Sequence, residues 1–412
     1  QGTGDAAAEA AADVLADQSG VARPARKRRQ RNSGDLPESL PQVEEIVDLE
    51  EKACPCCGNT MHQIGETVTK MLDVVPAIFR VKVIRRPRYA CDACDTPPVQ
   101  APAPPRPIDG GMATEALVAH VLVGKFVDHL PLYRQAQIFE RQGIKLDRST
   151  LGDWVGRACW WLSPVYKAII GHVVSQTKIF ADDTVLPVLD PGRGRTKTGR
   201  LWCYAVDDRP WCGSAPPAAA FVYAPDRKGE RPALHLEKFR GVLQVDGYAG
   251  FGAVVKDRVE DQLTLAFCWT HARRYFFEFH ASTQSPIAAE ALARIARLYA
   301  IEAEIRGQPA AVRQSVRQVK SRPLIEAMYD WLNAQLPRIA TKSDLAKAIR
   351  YTLRHWPGLI LFLEDGRIEL DTNTVEREIR RIPLGRKNAL FAGNDAGAEH
   401  WALNPSLALK RS

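Results

Sequence analysis

Between residues 178 and 267 the apolar pattern is that of short strands, and this limits the folds open to the chain more than any other feature. KIFADDTVLPVL, RLWCYAVDD and AAFVYAP are short runs rich in β-branched and aromatic residues, parted by Gly- and Pro-rich turns of which GRGRTKTG is the clearest. A helix over about 230–239 leads to a fourth strand in GVLQVDGY, and another helix leads to a fifth in LTLAFCW. From 281 to 365 the period changes. Leu292, Ile295, Leu298, Ile301 and Ile305 recur every three or four positions, as do Leu345, Ile349, Leu353 and Trp356, which predicts a helical block. A last helix is expected from near Thr374 to Pro383. Three strands, helix, strand, helix, strand, inserted helices and a closing helix is the order of an α/β, ribonuclease-H-like domain.

Three carboxylates stand at telling places in that order. Asp182 lies inside the first strand, where Phe180, Val185 and Leu186 favour burial and a charge is costly. Asp246 ends the fourth strand in Val-Asp-Gly, with Gly247 letting the chain turn away. Glu376 falls in the first turn of the last helix, beside the apolar stripe Val375, Ile379 and Ile382. In a ribonuclease-H-like sheet these places converge. Carboxylates held together repel one another and call for a cation. Mg²⁺ suits such a set, and two ions would serve in-line displacement at phosphorus. Pattern alone leaves a second reading open, in which these are three of 48 acidic residues and Asp246 is a turn residue. It also leaves Asp183 open beside Asp182. Arg377, Arg380, Arg381, Arg386 and Lys387 surround the third acid and are expected to hold a phosphate backbone.

At 412 residues the chain is too long for one ordinary core. Residues 1–50 read as a leader, with a basic run from Arg23 to Arg31 followed by an acidic stretch. In 51–100, Cys54 and Cys57 form one C-x-x-C and Cys91 and Cys94 another, the donor set of a closed, structural Zn²⁺ site in a zinc ribbon. The alternation Phe79, Val81, Val83 against Arg80 and Lys82 predicts a strand between them. A Pro-rich linker (101–111) leads to helices over 112–177, the third beginning at Ser149, in a helix-turn-helix-like arrangement. Cys268 and His271 form a C-x-x-H that lacks partners nearby in sequence and is read as local packing. The net charge of +8 favours a polyanionic partner. No apolar stretch is long enough to cross a bilayer and no signal peptide is evident, so the expected setting is the cytoplasm, near the nucleoid. The chain opens on Gln1 without Met, so an upstream part is expected to be missing.

Taken together, CPCCG with YACDAC, KFVDHLPLYRQ, RQGIKLDRSTLGDWV, ADDTVLPVLDPGRGRTKTGRLW, LQVDGYAGF, CWTHARRYFFE and DTNTVEREIRRIPLGRKNALFAG resemble the transposases of the insertion sequence 66 family. The resemblance implies a DDE-type enzyme with a zinc ribbon and a catalytic domain over 178–393, the helical insertion at about 281–365 included. It places the three acids at Asp182, Asp246 and Glu376, and takes Asp182 over Asp183. It implies Mg²⁺-dependent DNA transposition: water frees a 3′ hydroxyl at an element end, and that hydroxyl attacks target DNA. A homo-oligomer bridging two element ends, with small accessory proteins of the same element, is implied too. The alternative is a truncated or domesticated DNA-binding remnant. Thr372 stands where the family commonly has Asn. Residues 394–412 depart from the family pattern, so a truncated tail is expected, leaving Leu390, Phe391 and Trp401 exposed.

Overall fold

The computed structural model describes residues 79–89, 99–106, 108, 111–190, 192–256, 258 and 262–407. Cys54, Cys57, Cys91 and Cys94, with the basic leader, lie outside the described residues. The chain divides into two compact units, 1–103 and 104–412. In the first, Arg88–Tyr89 pairs antiparallel with Val99–Gln100. The Arg86 side chain donates to the Ala101 carbonyl (2.9 Å). The strand expected at Phe79–Val83 makes no ladder among the described residues, and Val81 and Val83 are exposed. Alternation describes a surface that fits a sheet, and it does not supply the partner.

The second unit is a mixed α/β structure around a five-stranded sheet. Its strands are β1 (Lys178–Asp190), β2 (Arg195–Val206), β3 (Ala218–Ala224), β4 (Gly241–Val245) and β5 (Leu263–Phe267). They lie in the order β3-β2-β1-β4-β5. β1, β2 and β3 are antiparallel neighbours, while β4 joins β1, and β5 joins β4, in parallel. β1 and β2 are joined by a short turn, as Asp190 facing Arg195 shows, whereas a longer segment with the turn Arg209–Trp211 links β2 to β3. The parallel pairs need crossovers, which the helix α4 (Glu230–His235) and the short turns over 249–255 begin.

Both faces of the sheet are covered. Ahead of it in sequence come α1 (Glu115–Phe126), α2 (Leu132–Arg141) and the long α3 (Arg148–Val174). The third helix thus starts one residue before Ser149, with Asp147 at its N-cap. One face buries Ile179, Ala181, Trp202 and Tyr204 with Val173 of α3 and Phe239 and Phe251. The other buries Phe180, Leu201, Cys203 and Phe221 with Val375, Ile382 and Trp401. Beyond β5 comes a helical block: α5 (Trp269–Thr283), α6 (Pro286–Ile305), α7 (Ala310–Val316), α8 (Arg322–Gln335) and α9 (Asp344–Arg354). Its own core contains Trp269, Ile295, Met328, Ile349 and Trp356. Two buried guanidiniums lie inside the block. Arg317 pairs with Glu302 (2.7 Å) and donates to the carbonyls of Phe362 and Ile368, and Arg313 pairs with Glu302 and Glu369.

The chain's end differs from expectation in two ways. The last predicted helix is a pair, α10 (Asn373–Ile379) and α11 (Arg381–Ala389). Pro383 falls in the first turn of α11, where its missing N–H costs nothing, so it helps to start a helix and does not stop one. After it, α12 (Asp395–Leu407) packs into the fold. Trp401, expected to be exposed, is buried and meets Phe126 edge-to-face at 6.0 Å. Ser406 Oγ accepts from the Phe221 amide of β3 (2.9 Å), so this tail covers part of the sheet. Leu390 and Phe391 do stay exposed.

Candidate functional site

Strand register brings the first two acids together. Phe180 of β1 is level with Gln244 of β4 in a parallel pair. Asp182 and Asp246 each lie two residues further on, so they continue on the same face at the same height, on strands about 4.8 Å apart. Asp182 shares its face with Phe180, whose core includes Val375 of α10. Burying Val375 against the sheet brings Glu376 near Asp182, in the first half of β1. Asp182 registers all of this: its carboxyl is pushed up to about 8, first by burial and then by Asp246, with Asp183 and Glu376 adding to it.

Each acid is held locally. Asp182 Oδ1 accepts from the Asp183 amide (2.7 Å). Asp246 Oδ1 accepts from the Tyr248 amide (2.8 Å), and Gly247 takes φ +95° to make that turn. The Asp246 carbonyl accepts from Tyr351 of α9 (2.9 Å), so the helical block braces the second acid's turn. Glu376 accepts from the buried Thr372 hydroxyl (3.1 Å).

Asp183 points the other way. Its fully buried carboxylate pairs with Arg200 (2.9 Å) and Arg227 (2.9 Å), and Arg227 lies over the Tyr248 ring at 3.9 Å. Those two guanidiniums occupy it, and the alternation of the strand turns it away from Asp246 and Glu376.

The predicted basic residues do not share one fate. Arg377, Arg380 and Lys387 are exposed. Arg381 pairs with Glu378 (3.1 Å). Arg386 reaches from α11 to the Val185 carbonyl of β1 and is a brace on that strand. A cleft of about 590 Å³ beside α10 is lined by Arg209, Arg306, Arg377 and Arg381, with Asp207 and Glu378.

Sequence reasoning missed several neighbours. Asp371 is pushed up to about 6, mainly by burial, with Glu369 and Glu376 nearby. Cys268 and His271, read as local packing, lie with Glu376 so that their ligand atoms fall within 4.8 Å of one another. Cys268 is level with Asp246 because Phe267 of β5 pairs with Val245. Burial pushes its thiol up to about 12, against the hydrogen bonds it makes with the Thr372 side chain and the His271 backbone. The C-x-x-H spacing was the available signal, and its partner is supplied from more than a hundred residues away.

Residues 110–400 match the model described as "Transposase IS66 family", and residues 51–95 match that of the "zinc-finger binding domain of transposase IS66". Among similar proteins, y4jD of Sinorhizobium fredii is 50% identical over 385 residues, covering 93% of this chain and 75% of the relative. From the same organism, y4qI is 40% identical (91% and 70% covered) and y4hP is 39% identical (87% and 67% covered); all three are named as uncharacterized proteins. The chain belongs to the IS66 family of transposases.

Proposed function

We propose that this chain is a DDE-type transposase that cleaves and joins DNA strands with Asp182, Asp246 and Glu376 as its catalytic acids. The observation that carries the reading is the strand register that sets Asp182 beside Asp246 on the sheet face covered by α10, with Glu376 close enough to act on the Asp182 carboxyl. A polypeptide gains nothing in stability by gathering charges in this way, and a bound cation relieves the repulsion. The all-oxygen donor set fits Mg²⁺, as it leaves room for water and phosphate oxygens. When bound, a pair of such ions supplies activation of an attacking oxygen and stabilisation of the leaving one. The strand order, three antiparallel strands followed by two parallel additions, supports a ribonuclease-H-like reading of the domain.

The chain's own groups supply the rest. The Asp183 pairs with Arg200 and Arg227, and the Arg386 brace on Val185, hold β1 in place, so that Asp182 is presented at a constant position. Tyr351 does the same for Asp246, and Thr372 for Glu376. Arg377, Arg380 and Lys387 are placed to grip the phosphate backbone, which positions a strand without reading its sequence. Cys54, Cys57, Cys91 and Cys94 are proposed to hold one structural Zn²⁺, which the family match over residues 51–95 supports. The partners are DNA element ends and target DNA, with a homo-oligomer bridging the ends.

The test is incubation of the protein with labelled element ends and Mg²⁺. Asp246→Ala should abolish cleavage and strand transfer while leaving the thermal melt and end binding close to those of the parent chain. Retained cleavage in both Asp246→Ala and Asp182→Ala would sink the assignment.

A further inference from the structure

Cys268 and His271 are separated from Glu376 by more than a hundred residues of sequence. β5 delivers Cys268 in an extended conformation at the N-cap of α5, and His271 follows within the first turn. Both side chains therefore lie at one end of α5, where α10 brings Glu376. Their ligand atoms all lie within 4.8 Å of one another. Tetrahedral Zn²⁺ bonds of roughly 2.0–2.3 Å put ligand atoms about 3.3–3.8 Å apart, so at most a modest side-chain movement closes the set. A second observation points the same way. His271 Nδ1 is buried and has no hydrogen-bond partner among the described residues, whereas buried polar atoms are nearly always partnered.

From this geometry we infer that Cys268, His271 and Glu376 form a second metal site, selective for Zn²⁺-class cations, that competes with Mg²⁺ for Glu376. Thiolate, imidazole and carboxylate are a donor set for zinc, while Mg²⁺ takes oxygen. Three protein ligands leave a fourth position open, unlike the closed four-cysteine set proposed for the ribbon. On binding, Cys268 gives its proton to solvent and the metal takes its place on sulfur. Glu376 cannot serve both sites at full strength, so zinc occupancy draws one ligand from the acid cluster. The competition rests on the catalytic reading of Glu376; the binding itself does not.

The experiment is a Co²⁺ titration of the full chain, with the ribbon cysteines filled beforehand by one equivalent of Zn²⁺. One further equivalent of Co²⁺ should bind, giving the visible bands of a tetrahedral site and a thiolate-to-cobalt charge-transfer band. Cys268→Ser should remove the charge-transfer band, and it should fold, because Cys268 is the N-cap of α5 and serine is close in size and a favoured residue at that position. His271→Ala should weaken Co²⁺ binding by roughly tenfold or more, since even the loss of a ligand's supporting partner costs that much. Absence of a thiolate band in the parent chain, or its persistence in Cys268→Ser, overturns the site. Raising Mg²⁺ should lower the apparent Co²⁺ affinity of the parent chain and should do so less in Asp182→Ala. A parent affinity indifferent to Mg²⁺ overturns the competition. DNA ends left uncut by a chain that shows the cobalt band would count against the catalytic reading and leave the metal site standing.

Discussion

Asp182 and Asp183 are adjacent, chemically identical and opposite in circumstance. Asp183 is neutralised by two guanidiniums, and Asp182 faces two further acids with no ion-pair partner among the described residues. The folded protein therefore holds on to the Asp182 proton, with a pKa of about 8 against 3.8 for an ordinary aspartate. Between those values the native state binds more protons than the unfolded chain, so this group's contribution to stability falls as pH rises. Without metal, Asp182→Asn should thus melt higher than the parent chain, by a margin that widens from pH 4 to pH 8. Added Mg²⁺ should narrow the margin at pH 8 by stabilising only the parent. A margin independent of pH in calorimetry would show that Asp182 is not under this strain. Strand alternation made it legible that only one of the pair could face the site. Which one it was depended on the face that α10 covers.

At the level of elements, the tail and the helical block carry more than their sequences suggested. In α12, Trp401 packs against Phe126 and over Gly385, where a Cβ would come within 2.8 Å of its ring. Trp401→Ala should cost about 3–5 kcal/mol, the usual price of removing a buried large aromatic, measured by denaturant unfolding. A loss below about 1 kcal/mol would mean that α12 is a loosely attached tail after all. The helical block is tied together through Glu302, which faces Arg313 and Arg317. Glu302→Ala leaves two buried guanidiniums short of their counter-charge and should destabilise by about 3–5 kcal/mol, whereas an exposed pair such as Lys320–Glu304 should contribute under about 1 kcal/mol. Comparable effects from Glu302→Ala and Glu304→Ala would contradict that ranking. Because Tyr351 of α9 bonds the Asp246 carbonyl, loosening the block should also loosen the second acid.

For the whole molecule, the division into units at residues 103 and 104 predicts separable stabilities. Protein prepared without chelator should carry one tightly held Zn²⁺ through Cys54, Cys57, Cys91 and Cys94. Cys57→Ser should release it and make residues 51–100 more open to protease, while the main thermal transition of the α/β unit moves little. Metal analysis showing no tightly held zinc in the parent, or loss of the main transition in the variant, would argue against an independent ribbon. Among the described residues no helix is long and apolar enough to cross a membrane.

Much of this protein was determined by sequence alone, because turns, caps and apolar periods act over a few residues. The five strands, their order along the chain and the helical block after β5 are all of that kind, and the family resemblance rests on the same short blocks. Misreadings arose where local signals were ambiguous. Pro383 opens a helix as readily as it closes one, and an alternating run such as Phe79–Val83 has no ladder until a partner strand arrives. Tertiary structure decided the rest. The register of β1 against β4 set Asp182 beside Asp246, and the apolar side of α10 fixed which strand face met Glu376. The same docking turned Cys268 and His271 from a half-site into part of a cluster. Those groups meet because a twisted sheet and the helices covering it bury apolar surface in only one arrangement, and that surface is distributed over some two hundred residues of sequence.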